Sequence, residues 1–82
     1  MQKILQKGTI GRNIQRIRKE KGMTQEDVVR ELQLHGRGIS IAHFGHIEQG
    51  RKNIWDVDLV LLKQIFKVEY EEFFVGITPD RT

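Results

Sequence analysis

Apolar residues recur at helical spacing in successive windows along this chain, and the windows set the elements. Ile10, Ile14 and Ile17 fall at i, i+4 and i+7, one stripe of an amphipathic helix, while Arg12, Arg16, Lys19 and Lys21 occupy its other faces. Thr9 is a candidate N-cap and Gly22 a terminator, so a first helix is predicted between them. Val28, Val29 and Leu32 predict a second helix from Gln25 to Leu34, with Thr24 as N-cap and Asp27 close to a capping-box position. Gly36 and Gly38 punctuate a turn. Ser40 then caps a third helix, Ile41 to Gln49, whose inward anchors are Phe44 and Ile47 and which Gly50 closes. Leu59, Leu62 and Phe66 predict a fourth helix from Trp55 to Phe66, with Ile54 and Val68 packing beside it and Trp55 covering the core edge. A short fifth helix is expected from Tyr70 to Val75. The reading is all-α, with residues 1–8 a flexible basic arm, 9–75 the folded domain, and 76–82 a tail containing Pro79.

Length and composition narrow this. Eighty-two residues make one domain with a modest core. The absence of cysteine removes disulfide and thiolate-metal staples and is compatible with a reducing cytosol. No apolar run approaches the roughly 20 residues of a membrane span, and the N-terminus has no signal-peptide core. The expected location is therefore cytoplasmic. Net charge is +3, unevenly spread: residues 1–54 carry 11 Lys or Arg against 5 Asp or Glu, and residues 55–82 carry 3 against 6. The front half is thus at +6 and the back half at −3, a distribution suited to presenting one face to a polyanion.

The second and third helices and their glycine-containing turn form a helix-turn-helix, whose second helix is built to enter the DNA major groove. TQEDVVREL followed by HIEQGRKNI resembles the helix-turn-helix of the phage Cro and repressor type, often called the Xre family. IQRIRKEKGMTQ upstream and LVLLKQIFKVEYEEFF downstream extend the resemblance over roughly residues 10 to 75. It implies a compact five-helix phage-repressor-like domain, bacterial or phage-encoded. The chain departs from the pattern in three places. About five extra residues lie around Leu34 to Ile39, lengthening the turn. Val29 stands where alanine is common, and Lys67 where the family has a left-handed glycine.

By position against the family, Ile41, Ala42 and His46 are the expected base readers. The first two offer thymine-methyl contact, and His46 donates or accepts a hydrogen bond. Gln25 in the first turn of the second helix, Arg37 in the long turn, Ser40, His43, and the Arg51-Lys52-Asn53 tripeptide are the expected contacts to the DNA backbone. The resemblance also implies an ion pair between Arg18 and Glu48, tying the first helix to the third. Gly45, in mid-helix, is expected to permit close approach to a backbone. Tyr70, Phe73 and Phe74 exceed what one small core needs and are candidates for a dimer seam. His35, His43 and His46 lack a matching further ligand, so no metal is expected, and no cofactor.

Two functions follow. The first is a sequence-specific regulator of transcription that binds double-stranded DNA, expected to be a repressor and a homodimer. The second is a protein-interaction module, such as an antitoxin or adaptor, using the same fold to hold a protein partner. Catalysis is not expected: the sequence contains no carboxylate pair, Ser-His-Asp set or phosphate-binding glycine loop.

Overall fold

A computed structural model describes the backbone of residues 3–4 and all of residues 8–78. Among these, four α-helices appear: α1 (Thr9–Glu20), α2 (Gln25–Leu34), α3 (Ile41–Glu48) and α4 (Asp56–Phe66). The expected fifth helix is instead a 3₁₀ turn, Tyr70–Phe74. The fold is mostly helical, but the all-α expectation of five helices needs this correction and one more. A two-residue strand β1 (Lys3–Ile4) pairs antiparallel with β2 (Ile54–Trp55), Lys3 opposite Trp55 and Ile4 opposite Ile54. The chain must be extended at Trp55 to enter α4 (φ −87°, ψ 152°), and β-branched and aromatic residues favour that state. Within the arm predicted as flexible, Lys3 and Ile4 lie in this ribbon. Gly8, the last residue of that arm, belongs to the start of α1, whereas residues 1–2 and 5–7 of the arm and 79–82 of the predicted tail lie outside the described residues.

The core is the one the periodicity marks. Ile10, Ile14 and Ile17 of α1, Val28, Val29 and Leu32 of α2, Phe44 and Ile47 of α3, and Leu59, Leu62 and Phe66 of α4 are all buried, with Ile54 and Phe73. Phe73 packs on Phe66 at 6.5 Å between ring centroids, tilted by 38°. Two of its neighbours in the turn remain outside: Tyr70 and Phe74 are 42% and 41% exposed. Asn13, buried in α1, donates to the carbonyls of Phe73 and Val75, each at 2.9 Å, and Arg16 reaches the Glu72 carbonyl at 3.2 Å. The first helix thereby satisfies carbonyls that a short 3₁₀ turn leaves over.

α1, α2 and α3 end in the same way. After α1, Met23 N–H bonds the Arg18 carbonyl and Gly22 N–H that of Lys19; after α2, Arg37 bonds Leu32 and Gly36 bonds Gln33; after α3, Arg51 bonds His46 and Gly50 bonds Ile47. This paired bonding is the Schellman motif. α4 closes with the same long bond, Val68 N–H to the Lys63 carbonyl at 3.3 Å, and the Lys67 amide also bonds Lys63. Its left-handed residue, however, is Lys67, at φ 57° and ψ 51°, where the other three helices have glycine. A Cβ in that conformation costs about 1–2 kcal/mol.

α1 starts one residue earlier than its composition suggests. Thr9 is the first helical residue and Gly8, at φ 95°, is the N-cap, with no side-chain cap. Gly8 lies against Gly50, so the entry to α1 is set by a contact and not by a capping hydroxyl. α2 has the capping box its sequence spells: Asp27 N–H donates to Thr24 Oγ1 at 3.0 Å, and Thr24 N–H to Asp27 Oδ2 at 2.9 Å.

Candidate DNA-binding surface

α3 divides into two faces. Phe44, Ile47 and Glu48 point into the protein and are buried. Ile41 is 44% exposed, Ala42 is exposed, and His43, Gly45 and His46 are half-buried on the other side. The three residues expected to read bases therefore sit on the outward half of one short helix. Ser40 caps it, its Oγ accepting from His43 N–H at 3.0 Å. No acidic residue lies in the first turn of α3, so the positive end of its dipole is not neutralised there.

The inward end of α3 is clasped. Arg18 Nε donates to Glu48 Oε2 at 2.6 Å and its second nitrogen to Oε1 at 3.2 Å, a two-pronged pair with both side chains almost fully buried. Arg18 also donates to the Met23 carbonyl at 3.0 Å, and Gln25 Nε2 donates to Glu48 Oε1 at 2.8 Å. Three elements thus meet on one carboxylate. Burial of this pair is tolerable because its lone pairs and protons are used.

The structure gives two of the expected phosphate contacts other partners. The Gln25 amide is spent on Glu48, and its own helix opens with Glu26 and Asp27, an anionic start unsuited to phosphate. Arg37 turns away from the outer surface of α3 and grips Asp58 in the first turn of α4, Nε to Oδ1 at 2.7 Å and a second nitrogen to Oδ2 at 3.3 Å. The hydrogen bond that Arg37 donates to the Asp58 carboxylate raises the pKa of its guanidinium above the usual, already high value, against a smaller opposing effect of burial. A Cβ built on Gly45 would lie 3.5–4.0 Å from Gln25 side-chain atoms, an ordinary contact.

Arg51 and Lys52 are exposed and Asn53 half-buried, in the turn that leaves α3. The Arg51 and Lys52 amides both bond the His46 carbonyl, at 2.8 and 3.3 Å, which folds this basic turn onto the last turn of α3. The Schellman geometry places the backbone of Arg51 and Lys52 at the C-terminal end of α3. His35 turns elsewhere, its Nδ1 2.9 Å from the Glu31 carbonyl. Among the described residues no three His, Cys, Asp or Glu side chains converge to hold a metal. No described helix is long and apolar enough to cross a membrane.

Three structural roles escaped the sequence. Asn13 reads as one more polar residue on the first helix, and its bonds to residues 60 and 62 positions away carry no local signal. Asp58 carries one: it stands three residues after the extended Trp55, the place from which a carboxylate reaches back, and accepts from Trp55 N–H at 3.3 Å. Gln25 as a partner of Glu48 becomes visible only once the helices are packed.

This arrangement has a solved counterpart. The crystal structure of the restriction-modification controller protein C.AhdI from Aeromonas hydrophila aligns with a TM-score of 0.69 over 82% of this chain and 94% of C.AhdI. This chain shares the fold of C.AhdI. The two are 24% identical, so the likeness to C.AhdI is one of architecture. It supports the resemblance to a Cro- and repressor-type helix-turn-helix read from TQEDVVREL and HIEQGRKNI. Neither the protein-family models nor the curated proteins contain a match to this chain.

Proposed function

We propose that this protein is a sequence-specific regulator of transcription that binds double-stranded DNA and reads the major groove with α3. The observation that carries the reading is the two-faced α3. Its inner half is fixed by Phe44, Ile47 and the Arg18–Glu48 clasp, its outer half presents Ile41, Ala42 and His46, and Arg51 and Lys52 stand at its end. That is the division a recognition helix needs: rigid support behind, base-reading chemistry in front, cations beside it for phosphate. C.AhdI, a restriction-modification controller protein, adds weight to a regulatory role over an enzymatic one. Repression is the sense taken from the resemblance.

The proposed form on DNA is a homodimer, because one recognition helix spans only a few base pairs and a two-fold pair reads two half-sites about one helical turn apart. Phe73 drops out of the candidate seam, being fully buried. Tyr70 and Phe74 remain, joined by Val75 and Ile77, all more than two-fifths exposed. The same apolar edge supports a protein partner as the second reading.

The test is titration of a random-sequence duplex at several salt concentrations, followed by selection from a random pool. Binding should weaken steeply with salt, as phosphate contacts release counterions, and selection should enrich one motif. No duplex binding at low salt would rule the reading out, and binding without enrichment would rule out sequence specificity.

A further inference from the structure

We propose that Arg37 is a positioning residue for DNA recognition: by gripping Asp58 it fixes the α2–α3 turn and so sets where the N-terminal end of α3 lies. The proposal rests on the function proposed above, and adds the device that aims α3.

The turn between α2 and α3 is long for a helix-turn-helix and holds Gly36 and Gly38, neither of which has a neighbour within 4 Å of a would-be Cβ. A turn of this kind would by itself leave the following helix loosely aimed. Here it is held at three points. The Arg37 amide closes the end of α2 on the Leu32 carbonyl at 2.8 Å. The Arg37 guanidinium spans to α4 with both prongs on Asp58, which is 2% exposed. The Ile39 amide bonds the Arg37 carbonyl at 3.1 Å, and the Ile39 side chain packs against the core. Ser40, the cap of α3, follows at once.

The two ends of α3 are therefore secured by different means. Its C-terminal end is held by Glu48 on Arg18 and Gln25 and by Gly50 against Gly8. Its N-terminal end, with Ile41 and Ala42 on the outside, follows a turn whose polar side-chain tie to α4 is Arg37 on Asp58. The other polar side chains of the turn bond locally, His35 to the Glu31 carbonyl and Ser40 to the His43 amide. Loosening the Arg37–Asp58 tie frees the turn and the first turn of α3 ahead of buried Phe44, while the C-terminal end stays fixed. The base readers nearest the turn move most, and the phosphate contacts at Arg51 and Lys52 move least. Because the fork is planar and bidentate, lysine reproduces its charge but not its direction.

The experiment compares wild type, Asp58→Asn and Arg37→Lys, each titrated with the selected duplex and with a random duplex well below its melting midpoint. Asp58→Asn keeps Arg37 and lies away from the outer face of α3. The expected result is a fall of about ten-fold in the ratio of specific to random affinity, with random-duplex affinity held within about two-fold; Arg37→Lys falls between the two. Amide exchange gives a readout without DNA. The amides of His43 and Phe44, bonded to Ser40, should exchange faster in Asp58→Asn, while Gln49, bonded to the Gly45 carbonyl, should not. An unchanged ratio in a folded variant overturns the proposal. So does stronger binding of both duplexes by Asp58→Asn, which would mean that Arg37, once released, simply contacts phosphate. If wild type bound no duplex, the function reading would fail and take this proposal with it; failure of the ratio alone, with wild type binding specifically, strikes only the role of Arg37. Should Asp58→Asn not fold, the milder Arg37→Lys carries the same two measurements.

Discussion

Gly50 and Gly8 meet backbone to backbone: a Cβ built on Gly50 would stand 2.6 Å from the Gly8 Cα. Both residues have positive φ, 78° and 95°. The end of α3 and the start of α1 are thus joined where a side chain on Gly50 would strike the Gly8 backbone, and the basic turn at Arg51 starts from this joint. Gly8 itself has room and is constrained by its positive φ alone.

Gly50→Ala should therefore cost more than its backbone conformation alone. A left-handed alanine costs about 1–2 kcal/mol, and Gly22, at φ 69° with nothing within 4 Å, isolates that cost. Gly22→Ala should lower the melting temperature by the backbone share only, about 4–8 °C per kcal/mol in a domain of this size. Gly50→Ala should lower it further, because Gly8 must move. Equal losses in the two variants would show that the Gly8 contact relaxes at no cost.

The Arg18–Glu48 pair should behave as a buried unit. Arg18→Met leaves Glu48 buried with the Gln25 amide alone and should cost about 3–5 kcal/mol in urea unfolding. Adding Glu48→Gln to that variant removes the stranded charge and should recover part of the loss, a coupling readable from the double-mutant cycle. Losses under about 1 kcal/mol in both single variants would mean that the two charges are effectively solvated.

Asp27 gives the stability a pH dependence. Hydrogen bonds from the backbone and then the hydroxyl of Thr24, with a smaller contribution from Arg30, hold its carboxyl below the ordinary value of 3.8. A carboxylate whose folded pKa is depressed stabilises the fold above its unfolded pKa and loses that contribution as pH falls through the folded one. Wild type should melt above Asp27→Asn at about pH 7, and the gap should close on acidification below about pH 4. A gap independent of pH would assign the difference to shape and not to charge.

How much of the fold and the site is legible in the sequence depends on how local each cause is. The three isoleucines of α1 and the Phe44–Ile47 pair betray their burial because a helix repeats on a scale of a few residues. The capping box at Thr24 and Asp27 is shorter-range still, and Lys67 could be placed in a left-handed terminus by the resemblance alone. Long-range ties leave no such trace. Arg37 looks like a solvated cation between two glycines, and only folding brings it to Asp58, 21 positions on. The 3₁₀ turn at Tyr70–Phe74 fails as a helix for a similar reason: Phe73 must reach Phe66 while Asn13 takes the carbonyls behind it. The ribbon at Lys3–Ile4 stays hidden because two residues are too few to show a period of two.

The residues facing DNA should separate by role. Arg51 and Lys52, exposed in the turn behind α3, act on phosphate in the proposed complex, whereas His46 and Ala42 act on bases. Phosphate carries no sequence information, so Arg51→Ala or Lys52→Ala should weaken every duplex to a similar degree and shallow the salt slope by about one unit for each cation removed from phosphate. His46→Ala should instead relax the preference at one base pair by roughly 1–3 kcal/mol and leave the random duplex nearly unaffected. Ala42 tests closeness of approach. It is exposed on the outer face next to Ile41, so a long side chain there meets the groove first and should block or redirect binding. The decisive comparison is His46→Ala on selected and random duplexes side by side. Equal weakening of the two would make His46 a phosphate contact, and the reading face of α3 would then have to be centred on His43, whose amide Ser40 already holds at 3.0 Å.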